Sequence, residues 1–282
     1  MKKVPKRLKP LIEDGIIDEV LRPIMSGKEA EVFLVRCDDD LRCAKIYKDV
    51  TKRSFQNSSV YREGRHEKNS RRARAMAKRS SYGRQEEEEA WQTAEVDALY
   101  RLAEAGVRVP EPHGCYDGIL IMDLVGDGHG GIAPRLSSLE MTAEVAHEYH
   151  QFLLQEVIRM LCAGVVHGDL SEYNILVDPD GPVIIDLPQA VDAAGNNNAK
   201  AIFDRDVLNL TRFFGTFAPE ILETNYSGEI WELYEKGHLR PGAKLTGVYK
   251  DKRKKANVRE ILDEIKDARE EAEAKARMAE AR

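Results

Sequence analysis

The 282-residue sequence contains no apolar run near the roughly 20 residues a membrane-spanning helix requires. Its basic start, Met1-Lys2-Lys3-Val4-Pro5-Lys6-Arg7, leads into no apolar signal core. These absences argue against export or membrane contact, and a cytoplasmic protein is expected. Cysteine is scarce: Cys37, Cys43, Cys115 and Cys162 are scattered, without the close pairs of a zinc site or the density of a disulfide scaffold. Reduced structural thiols are the expectation. No internal repeat is visible, which sets aside solenoids and propellers.

What is present suits a soluble enzyme. Hydrophobic residues make up 42% and charged residues 33%, enough for a sizeable core with a well-solvated surface. The net charge of -6 conceals an asymmetry. From Lys48 to Arg84 twelve Lys or Arg face only Asp49, Glu63 and Glu67, a local balance of +9, so the rest of the chain carries -15. Few large apolar residues interrupt this stretch, and it ends at Glu86-Glu87-Glu88-Glu89. It reads as a flexible insertion, 48–84, kept soluble by charge or used to contact RNA phosphates or an acidic partner. Phe55, Tyr61 and Tyr82 are too sparse there for a base-stacking platform.

The most informative segment is Val166-His167-Gly168-Asp169-Leu170-Ser171-Glu172-Tyr173-Asn174, followed by Val183-Ile184-Ile185-Asp186. An acid, an amide five residues on, and a second acid ending an apolar run are what phosphoryl transfer needs. One carboxylate orients the acceptor, while the amide and the other carboxylate hold a divalent cation on the phosphates. Order and spacing resemble the catalytic and metal-binding loops of protein kinases. Either piece alone is weak, since His-Gly-Asp is often a turn and Ile-Ile-Asp a buried strand before a cap.

Upstream, Lys45 lies inside the apolar strand Cys43-Ala44-Lys45-Ile46-Tyr47, where a lysine either snorkels outward or pairs with an acid and a phosphate. Glu95, four residues after Trp91 on an expected helix, is the chosen partner; its alternative is an ordinary exposed carboxylate. Ser26, Gly27 and Lys28 form a turn able to lie over phosphates, although it is neither a GxGxxG nor a Walker sequence. In Ile121-Met122-Asp123-Leu124-Val125 the main chain of Asp123 and Val125 is expected to meet adenine, with Met122 behind the base. The plain alternative is a core strand.

Periodicity predicts a short helix over Leu11 to Leu21, strands at Glu31–Arg36 and Arg42–Tyr47, and a helix from Ala90 to Ala105 stopped by Gly106. Strands follow at Pro112–Tyr116 and Ile119–Leu124, then a glycine-rich connector, Gly126 to Gly131. Helices are expected at Met141–Ala163, Asp204–Phe214, Pro219–Leu222 and Ile230–Glu235. A tail helix is expected on the Val258, Ile261, Leu262, Ile265 stripe. The resulting organisation is a basic segment with a short helix, 1–24; a nucleotide-binding lobe, 25–125; a catalytic lobe, 126–240; and a charged, partly helical tail, 241–282.

Taken together, these residues resemble the RIO family of atypical serine protein kinases, most closely its first branch and bacterial homologues. The match rests on Ser26 through Ala30, Ala44 through Tyr47, Trp91 through Glu95, Ala105 through Pro112, His167 through Asn174, Ile184 through Ala190, and Arg205 through Leu210. The resemblance implies an α+β, two-lobed kinase-like fold with a small mainly β lobe and a mainly α lobe. It further implies that the usual activation and peptide-docking segments are trimmed. By it, Asp169 is the catalytic acid and Asn174 and Asp186 hold Mg²⁺, with Mn²⁺ suiting the same oxygen donors. Lys45 and Glu95 hold the α/β-phosphates of ATP, Ser26 and its turn cover them, and Asp206 braces the loop. His167 is then a packed loop residue.

Departures from ordinary kinases carry consequences. His-Gly-Asp lacks the arginine that receives an activation-loop phosphate, so control by loop phosphorylation is not expected. Leu187-Pro188-Gln189 follows the metal-binding acid, and Phe217-Ala218-Pro219-Glu220 only mimics an activation-segment ending. The resemblance also makes Asp186 a phosphate acceptor in its own right. The leading reading is an ATP- and Mg²⁺-dependent serine kinase acting on itself and on unidentified proteins. The others are a slow ATPase switch in ribosome or ribonucleoprotein assembly, and a small-molecule phosphotransferase.

Overall fold

A computed structural model of the chain describes residues 4–27, 30–48 and 94–249. Its upper part is a five-stranded antiparallel sheet of order β1-β2-β3-β5-β4. The strands are β1 (Glu19–Ser26), β2 (Ala30–Cys37), β3 (Asp40–Tyr47), β4 (Pro112–Tyr116) and β5 (Ile119–Asp123). Alternation along β3 assigns its two faces. Ala44 and Ile46 pack with Val35, Ile119 and Ile121 under Leu8, Leu11 and Ile17 of the N-terminal segment. Cys43 and Lys45 face a cleft on the other side. Register sets Lys45 opposite Val32 on β2 and Leu120 on β5.

The N-terminal helix, α1 (Lys9–Glu13), is shorter than its apolar spacing predicts. Gly15, at φ +71°, closes it with two bonds: Gly15 N–H donates to Ile12 O at 3.1 Å and Ile16 N–H to Leu11 O at 2.9 Å. The remainder of Leu11–Leu21 becomes a largely exposed link, anchored by the buried Ile17, and the start of β1. The first strand therefore begins inside the segment 1–24 set apart as a basic arm. A second glycine ends the next helix in the same way. Residues 94–104 are helical (α2), Gly106 has φ +71°, and Val107 N–H donates to Leu102 O at 3.0 Å. Leu99 and Leu102 on α2 are buried.

The lower part is helical. Its longest element, α3 (Ala143–Cys162), starts at Thr142, whose hydroxyl accepts from Val145 N–H at 3.4 Å. Two more helices, α4 (Ala199–Gly215) and α5 (Tyr226–Glu235), pack against it. Small antiparallel pairs carry the loops: β6 (Val165–Val166) with β9 (Val191–Asp192), and β7 (Ile175–Asp178) with β8 (Gly181–Ile184). One apolar cluster runs from Tyr47 and Leu120 of the sheet through Leu99 and Leu102 to Leu154, Ile158 and Phe214. The two parts thus share a core. The connector is closed by Asp127, whose carboxylate accepts from the N–H groups of His129 and Gly131 at 2.8 Å each.

Residues 241–249 are irregular and fold back onto α5, where the Glu229 carboxylate accepts from Thr246 N–H at 2.9 Å and Gly247 N–H at 2.8 Å. The predicted tail helix, the basic insertion beyond Lys48, Lys28 and Trp91 lie outside the described residues. No described helix is long and apolar enough to cross a membrane, and all four cysteines are free.

Candidate active site

Between the sheet and the helical part lies a cleft of about 370 Å³. Ile24, Met25, Val32 and Cys43 line its upper wall and Leu176 and Ile185 its lower one. Residues 122–125 form one edge, and Lys45, Asn174 and Asp186 form a polar end. An apolar slot with a few convergent polar groups has the make-up of a nucleotide site. Here period-two strand geometry does the positioning. Lys45 is carried on the cleft face of β3, and Asp186 stands just beyond β8, two residues after its last, Ile184.

The polar end is knit by Lys45. Its Nζ lies 2.5 Å from Glu95 Oε1 on α2 and 2.8 Å from Asp186 Oδ1. Burial alone would drive the ammonium pKa down, but Glu95 and Asp186 outweigh it and hold Lys45 well above the ordinary lysine value. Burial likewise opposes the charge on Asp186. Lys45 overcomes that, keeping Asp186 below the usual carboxylate range. Asp186 adopts φ +67°, a conformation a non-glycine residue takes only when its surroundings enforce it. Its side chain is 42% exposed to the cleft while Glu95 is buried. One carboxylate is thus a fixed partner and the other an accessible one.

Asp169 stands on a loop held from several directions. Burial raises its pKa, Arg205 and the Asn174 amide oppose the rise, and Asp186 adds to it; the net direction is upward. Asn174 Nδ2 donates to Asp169 O at 2.8 Å, leaving its amide oxygen for a cation. Beneath the loop the buried Asp206 accepts from Gly168 N–H at 2.8 Å and Leu170 N–H at 3.3 Å. Arg205 donates to Gly168 O, and Asn209 Nδ2 to Leu170 O at 3.0 Å. His167 is buried and neutral: desolvation lowers its pKa to about 4, Nε2 lies 3.1 Å from Ile185 O, and Nδ1 accepts from Asp169 N–H at 3.2 Å. Such a ring holds a turn rather than shuttling protons.

Gly168 explains why His-Gly-Asp departs from His-Arg-Asp. Its φ is +85°, and a Cβ there would collide with the Gln189 carbonyl oxygen. No side chain fits.

The structure brings together Lys45, Glu95, Asp169, Asn174 and Asp186, with Met122, Asp123 and Val125 on the cleft edge. Asp123 turns its carboxylate toward His113, with Oδ1 2.5 Å from Nε2. Ser26 and Gly27 stand at the rim instead. Lys48 Nζ donates to Gly27 O at 2.7 Å and Ser26 Oγ at 3.1 Å, while Ile24 and Met25 are the residues of β1 that line the cleft. Cys43 and Arg135 are among the cleft-lining residues that no sequence motif singles out. Cys43 sits under the upper wall, its thiol pushed up to about 12 by burial. Arg135 has no motif around it; the isolated bridge Arg135↔Leu176, a tertiary pairing, places it in the cleft.

Comparison with known proteins gives a family. The RIO domain matches residues 31–227. The chain is 35% identical over 205 residues to the RIO-type serine/threonine-protein kinase Rio1 of Haloferax volcanii, covering 72% of this chain and 66% of that protein. The protein of the same description from Methanocaldococcus jannaschii is 33% identical over 201 residues, covering 70% and 63%. The serine/threonine-protein kinase rio1 of Schizosaccharomyces pombe is 32% identical over 212 residues, covering 72% of this chain but 40% of the yeast protein. Each alignment spans less than two thirds of the relative's own length.

Proposed function

The chain belongs to the RIO domain family, and on that premise we propose that it is an ATP-dependent serine protein kinase whose cleft binds ATP with Mg²⁺. The observation that carries this reading is the convergence of Lys45, Glu95 and Asp186 with Asp169 and Asn174 at one end of an apolar slot. Adenine occupies the slot between Val32 and Leu176 along the edge formed by residues 122–125. The phosphates then extend toward Lys45. The donors fit the metal: a carboxylate and an amide oxygen are hard ligands, and Mg²⁺ characteristically binds one or two carboxylates plus substrate phosphates.

Lys45 holds the phosphates and is itself aimed by Glu95. Asp169 accepts a hydrogen bond from the serine hydroxyl, orients its oxygen in line, and receives the proton as the bond to the γ-phosphorus forms and that phosphorus parts from its bridging oxygen, which leaves on ADP. A carboxylate with a raised pKa is the stronger base for that task. When bound, Mg²⁺ neutralises charge on the phosphate oxygens. Asp169→Asn, assayed with labelled ATP on the protein itself and on a serine-rich acceptor, is expected to lose transfer by about 10²–10⁴-fold. Undiminished transfer from the folded variant would refute the assignment.

A second reading is an ATPase switch that times release from a ribosomal or ribonucleoprotein particle. Two observations favour it. Only residues 187–198 separate Asp186 from α4, little chain for docking a peptide. The stretch 48–84 carries a balance of +9 suited to RNA phosphates. Nucleotide- and salt-dependent sedimentation with ribosomal particles tests it. Turnover with sugar, choline or aminoglycoside acceptors tests a small-molecule phosphotransferase.

A further inference from the structure

The charges at the polar end of the cleft do not suit a polyphosphate on their own. Lys45 is matched by two carboxylates, Glu95 and Asp186, and Asp169 stands beside them. That corner carries an excess of negative charge, which repels a nucleotide's phosphates. Among the described residues the cleft is lined by one other cation, Arg135, on the strip leading out of the connector. Among the described residues no carboxylate lies within ion-pair distance of it, although its charge is felt by Asp186 and helps keep that carboxyl ionised.

Arg135 spans the mouth of the cleft. One guanidinium nitrogen donates to Tyr173 O at 2.8 Å, on the loop between Asp169 and Asn174, and another reaches the Met25 sulfur of β1 at 3.4 Å. A thioether is a weak acceptor, and a guanidinium has five N–H donors of which these contacts use two. The side chain is half-buried, in a position to turn inward. A planar, permanently charged fork matches phosphate oxygens better than it matches a sulfur and a single carbonyl.

We infer that Arg135 is a nucleotide-binding residue that leaves Met25 to engage the phosphates of a nucleoside di- or triphosphate, opposite Lys45. The inference rests on the proposed nucleotide site and adds to it a second phosphate cation. In the free protein the same side chain clasps the sheet to the catalytic loop; in the nucleotide complex it answers the charge that Lys45 alone does not.

The test measures dissociation constants of adenosine, ADP and ATP, with magnesium present, for the full chain and for Arg135→Met and Arg135→Lys. Thermal melts confirm that both variants fold. Arg135→Met is expected to weaken ADP and ATP by about ten- to a hundredfold and leave adenosine unchanged, the worth of one charge-assisted hydrogen bond. Arg135→Lys is expected to recover part of that loss by keeping the charge without the fork. Equal weakening of adenosine would show a clasp that merely orders the cleft, and no weakening of ADP or ATP would show no phosphate contact; either overturns the inference. Wild-type protein that binds none of the three would instead refute the nucleotide site itself.

Discussion

Asp186 and Asp206 lie at the two ends of the same candidate site and meet opposite environments. Asp186 is 42% exposed to the cleft, has one oxygen on Lys45, and is held in the ionised form. Asp206 is 3% exposed, has both oxygens on loop N–H groups, and is pushed by burial to a pKa of about 7 despite those bonds. The contrast separates a charge set out for exchange from one that is part of the scaffold. A carboxylate open to the cleft can exchange its lysine for a divalent cation. One locked under two backbone amides cannot move without taking the loop with it.

Substitution should split the two cleanly. Asp186→Asn is expected to reduce phosphate transfer by about a thousandfold, since it removes charge from the reacting region. Its melting temperature should stay close to that of the wild type. A variant of near-normal activity would erase the distinction. Asp206→Asn should behave the other way. Gly168 and Leu170 donate to different carboxylate oxygens, and an amide offers an acceptor at only one of those positions, so one buried N–H loses its partner, at a cost of about 1–3 kcal/mol in urea unfolding. Activity should fall mainly as far as the loop loses order.

Acidity sharpens the comparison further. Because the folded state holds the Asp206 proton more tightly than the unfolded chain, stability contributed by this group declines as pH rises from about 4 toward 7. Unfolding measured across that window should show this slope in the wild type and not in Asp206→Asn. Transfer activity should run in the reverse sense. It needs ionised Asp169, so it should fall as pH drops through a value above the ordinary carboxylate range. The smallest effect is expected from Glu95→Gln, which keeps a bond to Lys45 but removes a charge. Lys45 then has one charged partner, Asp186, and the ATP KM should rise about tenfold with kcat less affected.

Much of this arrangement was legible from local pattern. The acid, amide and acid between Asp169 and Asp186, the lysine inside an apolar strand, and Glu95 one turn after Trp91 all follow from spacing, and the sheet and main helices follow from periodicity. The failures share a cause. Apolar spacing over Leu11–Leu21 ignored the helix stop at Gly15, where backbone conformation rather than hydrophobicity decides. Arg135 carries no local signal at all: its place is set by a bridge to Leu176, a residue distant along the chain. Long-range pairing is what a linear pattern does not encode.

The absence of a side chain at Gly168 has an engineering corollary. With the Gln189 carbonyl packed close to its α-carbon, installing the arginine that lets ordinary protein kinases sense a phosphorylated loop requires rebuilding residues 187–190, not a point change. A designer wanting an on-off handle on this protein should therefore look to who gains entry to the cleft, because the apparatus inside it is already assembled.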